Sequence, residues 1–204
     1  MQDLFAKGGV LVIPILFCSV VALAIFVERF IRFAILRKWG LMVDERVARH
    51  LLKNDPKTAA QAASDSRSPM GRILAQAMDV IDQDRKILET VLVNAIDEEV
   101  RELSRYLQAL ATIANIVPLL GLLGTVIGMI KAFMVIQQMG GKVNAAVLAG
   151  GIWEAMLTTA LGLAVALPTM VAHSYLVGRV DGYEARLQAG SVRFVKTLGD
   201  LRRN

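Results

Sequence analysis

Three long uncharged apolar runs interrupt an otherwise polar chain. They occupy residues 8–27, 106–130 and 155–178, and none of them contains Asp, Glu, Lys or Arg. An α-helix needs about 20 apolar residues to cross roughly 30 Å of hydrocarbon at 1.5 Å per residue. The pattern therefore predicts three transmembrane helices.

The polar segment between the first two runs reads as helical. We expect one helix through VDERVARHLLK that stops at the NDP sequence at 54–56, then a short Ala-rich helix, a loop at 64–69 and a helix at MGRILAQAMDVI. From about Asp84 onward, apolar residues recur at mostly helical spacing with no breaker before Pro118. This predicts a long helix that continues into the second span.

The C-terminal tail carries an apolar stripe at three-four spacing, which is typical of a packing seam between helices. The stripe consists of Val180, Tyr183, Leu187, Phe194, Leu198 and Leu201. Strand signals are absent, so the predicted fold is an all-α membrane protein in which spans two and three extend into a cytoplasmic helical bundle. The expected regions are 1–36 (N-terminus and first span), 37–105 (cytoplasmic helices), 106–178 (the hairpin of spans two and three) and 179–204 (cytoplasmic tail).

Composition and charge narrow the class of protein. The chain has 55% hydrophobic residues and a mean hydropathy of +0.51, which exclude a soluble enzyme. A net charge of +5 would otherwise suggest a nucleic-acid-binding protein, but the three apolar runs argue against most proteins of that class. The single Cys18 and two distant histidines give no disulfide framework or metal site, and we expect no cofactor.

The basic residues are better explained by membrane topology. Lys7 is the only basic residue before the first run, whereas a charged, mostly basic cluster follows it. A cleaved signal peptide has its positive charge before the apolar stretch, so we expect this run to be a retained helix. The positive-inside rule then places the N-terminus outside and the C-terminus in the cytoplasm. The cluster consists of Glu28, Arg29, Arg32, Arg37 and Lys38.

Small residues recur along one face of each helix of the hairpin. Such stripes let helix backbones approach closely in lipid, where packing must supply the association. In span two the stripe is Gly121, Thr125, Gly128 and Ala132, and in span three it is Gly151, Ala155, Thr159, Gly162 and Ala166.

Each stripe also carries a hydroxyl, on Thr125 and on Thr159. Measured from a turn midpoint near Gly141, both lie roughly 24–27 Å down the hairpin. A lone threonine in a membrane helix most often bonds its own backbone. Two at matched depth favour a ring of hydroxyls around a narrow lumen when identical chains surround an axis.

Glu154 is the acidic residue in the apolar part of the hairpin, and an intramembrane ionisable group is a functional hypothesis by default. The alternative is a place near the outer membrane boundary, where Glu154 is either paired with a base such as Lys131 or simply exposed. Thr158 lies one turn from Glu154 on the same face and joins the candidate pathway residues. Pro118 and Pro168 each remove a helix hydrogen bond and are expected to kink their spans.

The motifs PLLGLLGTVIGM and GIWEAMLTTALGLAVALP, with ERF after the first span, resemble the ExbB/TolQ/MotA proton-channel family. Three spans favour the ExbB/TolQ branch over the four-span MotA-like proteins. The opening GGVLVIPILFCSVVALAIFVERF is more similar to ExbB than to TolQ.

The resemblance implies a pentameric inner-membrane stator around a single-span partner of the ExbD or TolR type. Thr125 and Thr159 would face a membrane aspartate of that partner, and Glu154 would match the glutamate of the GIxEA element. This chain would then conduct little alone and would transmit force to a TonB-like or TolA-like protein. A TolQ role in the Tol-Pal system and a non-conducting membrane scaffold remain the alternatives.

Overall fold

The computed structural model describes residues 9–39, 43–53, 55–66, 68–138 and 145–201, and within these ranges it contains helices and no strand. The all-α fold class is therefore confirmed. The helices are α1 (Val12–Trp39), α2 (Val43–Leu52), α3 (Pro56–Ser64), α4 (Pro69–Asp79), α5 (Arg85–Ser104), α6 (Leu107–Gln138) and α7 (Ala145–Leu201).

Among the described residues, three stretches are long and apolar enough to cross a membrane: Val12–Leu36, Arg85–Gln138 and Leu148–Leu201. The second includes both α5 and α6. The three stretches include the second and third uncharged runs in full and the first from Val12 onward, so the prediction of three membrane-spanning helices is confirmed. With 57 residues, α7 is roughly 85 Å long. Because hydrocarbon is only about 30 Å thick, much of this helix lies outside the membrane.

The prediction of one unbroken helix from Asp84 into the second span is wrong. The chain turns at Arg105 and Tyr106, where Tyr106 has a φ of 66°, so α5 and α6 are separate helices. The buried Arg29 donates to the Glu102 carbonyl at 3.1 Å, and Arg32 donates to the Glu102 carboxylate at 2.7 Å. The last carbonyls of a helix lack intrahelical partners, and Arg29 supplies one at the end of α5. The ion pair of Arg32 with the Glu102 side chain adds a second contact from α1.

The chain divides into two compact units. The membrane unit consists of residues up to Glu28 together with 106–175, and the polar unit consists of 29–105 and 176–204. In the membrane unit, Ile15 of α1 packs against Val117 of α6 and Ala166 of α7, and all three are buried.

The polar unit has its own core, which α2, α3, α4, α5 and the end of α7 share. Leu187, Phe194 and Leu198 bring α7 into this core, as the apolar stripe of the tail predicted. Arg72 of α4 forms a two-pronged ion pair with Glu99 of α5, and the carboxylate raises the pKa of the Arg72 guanidinium.

Two helix starts in the polar unit are capped by side chains. Asp55 accepts hydrogen bonds from the backbone and the hydroxyl of Thr58 at the start of α3, and these bonds lower the pKa of its carboxyl. At the start of α4, the fully buried Ser68 accepts from the Gly71 backbone N–H at 3.1 Å and pairs with the Ser66 hydroxyl. Both caps satisfy N–H groups that the helix itself leaves free.

We predict that Ser68→Ala weakens the first turn of α4, because a buried N–H then loses its acceptor. Loss of an N-cap side chain costs about 1 kcal/mol, which corresponds to roughly fivefold faster backbone hydrogen exchange in that turn. The matched control is Ser64→Ala, whose exposed hydroxyl only back-bonds to the Ala60 carbonyl. Equal exchange rates in the two variants would contradict the capping role.

Candidate functional site

Helices α6 and α7 of the membrane unit pack backbone to backbone. A methyl group placed on Gly121 would lie 3.1 Å from the Thr158 carbonyl oxygen and from the Thr159 Cα. One placed on Gly162 would lie 3.0 Å from the Val117 carbonyl oxygen. Such distances are tighter than ordinary van der Waals contact, so glycine is what permits the approach.

The same contact continues toward the connection between the helices. Gly128 faces Ala155, and Gly151 faces Ala132. These pairs keep the helices close over several turns.

The glycines and alanines of the predicted stripes lie in the contact, but the two predicted threonines are each one position away from its buried residues. Gly124, rather than Thr125, is buried on α6, and Thr158, rather than Thr159, is buried on α7. A methyl group on Gly124 would overlap the Thr158 side chain. Thr125 and Thr159 are half-buried at the margin of the contact.

The two marginal threonines lie on one side of the hairpin. Thr125 follows Gly124 and Thr159 follows Thr158, and both Gly124 and Thr158 are residues of the helix contact (contact residues). One position along an α-helix corresponds to a rotation of about 100°. Since α6 and α7 run antiparallel, these rotations have opposite senses when viewed from one end, and Thr125 and Thr159 project to the same side. We call this the threonine side.

Helix α1 covers the opposite side. Leu120, Leu161 and Val165 pack against the buried cluster that Ile15 of α1 forms with Val117 and Ala166. Each of the three directly precedes Gly121, Gly162 or Ala166 in the sequence. We call this the α1 side. Among the described residues of the membrane unit, no helix covers the threonine side in this way. Four of its apolar side chains are 45–65% exposed: Leu122, Met156, Leu163 and Leu167.

The three hydroxyls have different partners. The Thr159 hydroxyl donates across the hairpin to the Gly121 carbonyl at 3.0 Å. Those of Thr125 and Thr158 donate to carbonyls of their own helices, at 2.6 Å and 2.8 Å. Because each hydroxyl proton is already donated, the oxygens of the half-buried Thr125 and Thr159 offer acceptor lone pairs to anything on their side.

The hydroxyls of Thr125 and Thr159 are close to a common depth. Thr159 contacts Gly121, which precedes Thr125 by four residues, so the two lie about one helical turn apart. The buried Thr158 lies beside Gly124 and is closer to Thr125 in depth.

Glu154 forms an ion pair with Lys131. The sequence had offered this pair as an alternative to a free acid in the membrane. Lys131 Nζ lies 3.0 Å from Glu154 Oε1, and their side chains are 52% and 27% exposed. Each precedes a contact residue, Ala132 or Ala155, by one position. The ion pair therefore lies on the α1 side, away from Thr125.

Pro118 and Pro168 lie inside α6 and α7 without ending either helix. The expected kinks remain a prediction.

Comparison with known proteins shows which family the chain, including its hairpin, belongs to. A family model described as the MotA/TolQ/ExbB proton channel family matches residues 65–189, which include all of α6 and the membrane part of α7. The chain belongs to the MotA/TolQ/ExbB proton channel family.

Curated relatives agree with this assignment. A putative ExbB homolog of Methanothermobacter thermautotrophicus is 36% identical over 56% of this chain and 40% of its own length. A putative ExbB-like protein of Synechocystis is 32% identical over 80% of this chain and 79% of its own length. The Tol-Pal system protein TolQ of Haemophilus influenzae is 38% identical over 44% of this chain and 39% of its own length. Both ExbB-type and TolQ-type proteins are thus similar to this family member.

Two residues of the membrane unit escaped prediction. Gly124 lies on the helical continuation of the Gly121 and Gly128 face, but the choice of Thr125 for the stripe displaced it. Gly9, whose backbone contacts the Glu154 side chain, lies far away in sequence, and no local pattern connects the two.

We predict that Gly124→Ala destabilises the hairpin, because the added methyl group overlaps Thr158. Removing the opposing side chain in Gly124→Ala/Thr158→Gly should recover part of the loss. The measurement is thermal unfolding of the purified chain in detergent.

The matched control is Gly150→Ala, since a methyl group there meets nothing within 4 Å. This variant should melt at the wild-type temperature or slightly above it, because alanine favours helix. A Gly124→Ala protein as stable as the control would show that the helices are not in close contact at Gly124.

Proposed function

We propose that this chain is the stator subunit of an ExbB-like proton-driven motor in the inner membrane. Its N-terminus is periplasmic and its C-terminus is cytoplasmic, in keeping with the distribution of basic residues. A single-span partner of the ExbD type carries the proton on a membrane aspartate, and the motor energises a TonB-type protein for outer-membrane transport. The observation that carries the proposal is the uncovered threonine side of the hairpin.

The exposed side chains of the threonine side support assembly into a ring. An apolar surface interrupted by two half-buried hydroxyls is suited to a boundary between protein and a narrow polar space. Identical copies that turn this side toward a common axis would surround a partner helix with repeated hydroxyl pairs. A homo-oligomer, in the family's pentameric form, provides this arrangement.

The hydroxyl chemistry favours one protonation state of the partner. Thr125 and Thr159 already donate their protons to backbone carbonyls, so they present lone pairs. A protonated carboxyl can donate a hydrogen bond to these oxygens, whereas a carboxylate cannot. The hydroxyls would therefore hold the partner aspartate while it carries a proton.

Movement of charge through the membrane potential supplies the energy. One elementary charge crossing 100 mV yields about 2.3 kcal/mol, so a few protons per step bias a conformational cycle. The partner aspartate would take up a proton beside the hydroxyls and release it farther along the path. This cycle would move the partner relative to the ring.

The TolQ subunit of the Tol-Pal envelope system is the second candidate. The Haemophilus influenzae TolQ relative supports it with an identity of 38% over 44% of this chain. That match covers less than half of either chain, and the broader ExbB matches favour the first candidate. A non-conducting membrane scaffold is the third reading and predicts no dependence on hydroxyls.

We predict that Thr125→Val and Thr159→Val each abolish the proton-linked activity without preventing assembly. Valine is nearly the same size as threonine but has no oxygen to accept a hydrogen bond from the protonated carboxyl. The measurement is energy-dependent uptake or envelope integrity in cells, with complex formation checked by co-purification.

Thr112→Val is the matched control, because its exposed hydroxyl also bonds a carbonyl of α6, that of Gln108. The control should retain activity. Full activity in both Thr125→Val and Thr159→Val would overturn the hydroxyl mechanism and favour the scaffold.

We also predict that the chain co-purifies with a single-span membrane protein. Native mass spectrometry should show a complex with several copies of this chain bound to the partner. We expect five copies, as in the pentamer that the family resemblance implies. A stable monomer without a partner would contradict the proposal at its base.

A further inference from the structure

Glu154 of α7 lies against α6 and against the turn that precedes α1. Its Oε1 accepts a hydrogen bond from Lys131 of α6 at 3.0 Å. The same oxygen lies so close to Gly9, just before α1, that a methyl group on Gly9 would overlap it. One carboxylate oxygen therefore connects α7 with α6 and with the start of α1.

The turn before α1 requires glycine at this position. Gly9 has a φ of +68°, which side-chain-bearing residues rarely adopt, and its carbonyl accepts the Val12 N–H at 3.3 Å. Since α1 begins at Val12, the Glu154 carboxylate lies at the N-terminal end of that helix. Helix N-termini have free N–H groups and partial positive charge, so both neighbours of the carboxylate are electropositive.

The position of Glu154 also separates it from the hydroxyls. Glu154 and Lys131 lie on the α1 side of the hairpin, whereas Thr125 and Thr159 lie on the threonine side. The packed contact between α6 and α7 therefore lies between Glu154 and the threonine side.

We infer that Glu154 is a positioning residue that fastens the start of α1 to the ends of α6 and α7 nearest their connection. Gly9 makes room for its carboxylate, and Lys131 holds the carboxylate in place. We call this group the three-helix anchor. It rests on contacts within one chain and does not depend on the proposed function.

The anchor can be tested by hydrogen exchange of the purified full-length chain in lipid nanodiscs. Glu154→Gln and Lys131→Met should each speed exchange in the first turns of α1, by roughly two- to fivefold for the loss of a charge at a helix end. Gly9→Ala should also speed exchange in the first turns of α1, because the added methyl group overlaps the carboxylate oxygen of Glu154. Gly150→Ala, in open space, is the control and should match the wild type.

A charge swap distinguishes the anchor from a simple ion pair. Lys131→Glu combined with Glu154→Lys restores the pair between α6 and α7, but it places an ammonium group near the N-terminus of α1. We expect wild-type exchange at the hairpin ends and persistently fast exchange at the start of α1. Wild-type exchange at both places in the swapped protein, or in Gly9→Ala, would overturn the anchor.

Activity separates positioning from proton transfer. If Glu154 acts through position, Lys131→Met and Glu154→Gln should reduce proton-linked activity to a similar degree. Loss of activity confined to Glu154→Gln, with unchanged exchange in α1, would instead make Glu154 a proton carrier. The exchange measurement needs neither partner nor activity, so it stands or fails separately from the proposed motor function.

Discussion

Close contact between the backbones of α6 and α7 is the constraint on which the rest of the membrane unit depends. In lipid there is no hydrophobic force between helices, so association requires dense packing. Gly121 and Gly162 provide it by removing the side chains that would separate the two backbones. The contact fixes which residues of each helix face inward and therefore which residues remain for function.

The contact fixes how each helix is oriented about its own axis. With Gly124 and Thr158 inside, the next residues along each helix, Thr125 and Thr159, reach the same uncovered side. The residues one position earlier reach the other side, where α1 packs and where Lys131 pairs with Glu154. The hairpin thus separates hydroxyl chemistry from ionic chemistry although both occur in the same few turns.

The sequence predicts the spans well because length and lack of charge decide whether a helix can cross a bilayer. It predicts the polar helices well where Pro and capping residues mark their ends, as at Asp55 and Ser68. It misses the break at Arg105 and Tyr106, since neither residue is a breaker and the contacts that stabilise it come from α1.

At the candidate site, small-residue spacing identifies the packed faces but leaves their centre uncertain by one position. Thr125 fits the spacing as well as Gly124 does, and only the opposing Thr158 decides between them. The contact of Gly9 with Glu154 joins residues far apart in the chain, and no periodicity encodes it.

Proton flux in proteoliposomes tests the central claim most directly. The chain would be reconstituted alone, with its single-span partner, and with a partner whose membrane aspartate is replaced by asparagine, under an imposed pH gradient and membrane potential. The account predicts flux only when the chain and the unaltered partner are both present. Equal flux from the chain alone, or from the complex with the asparagine partner, would contradict it.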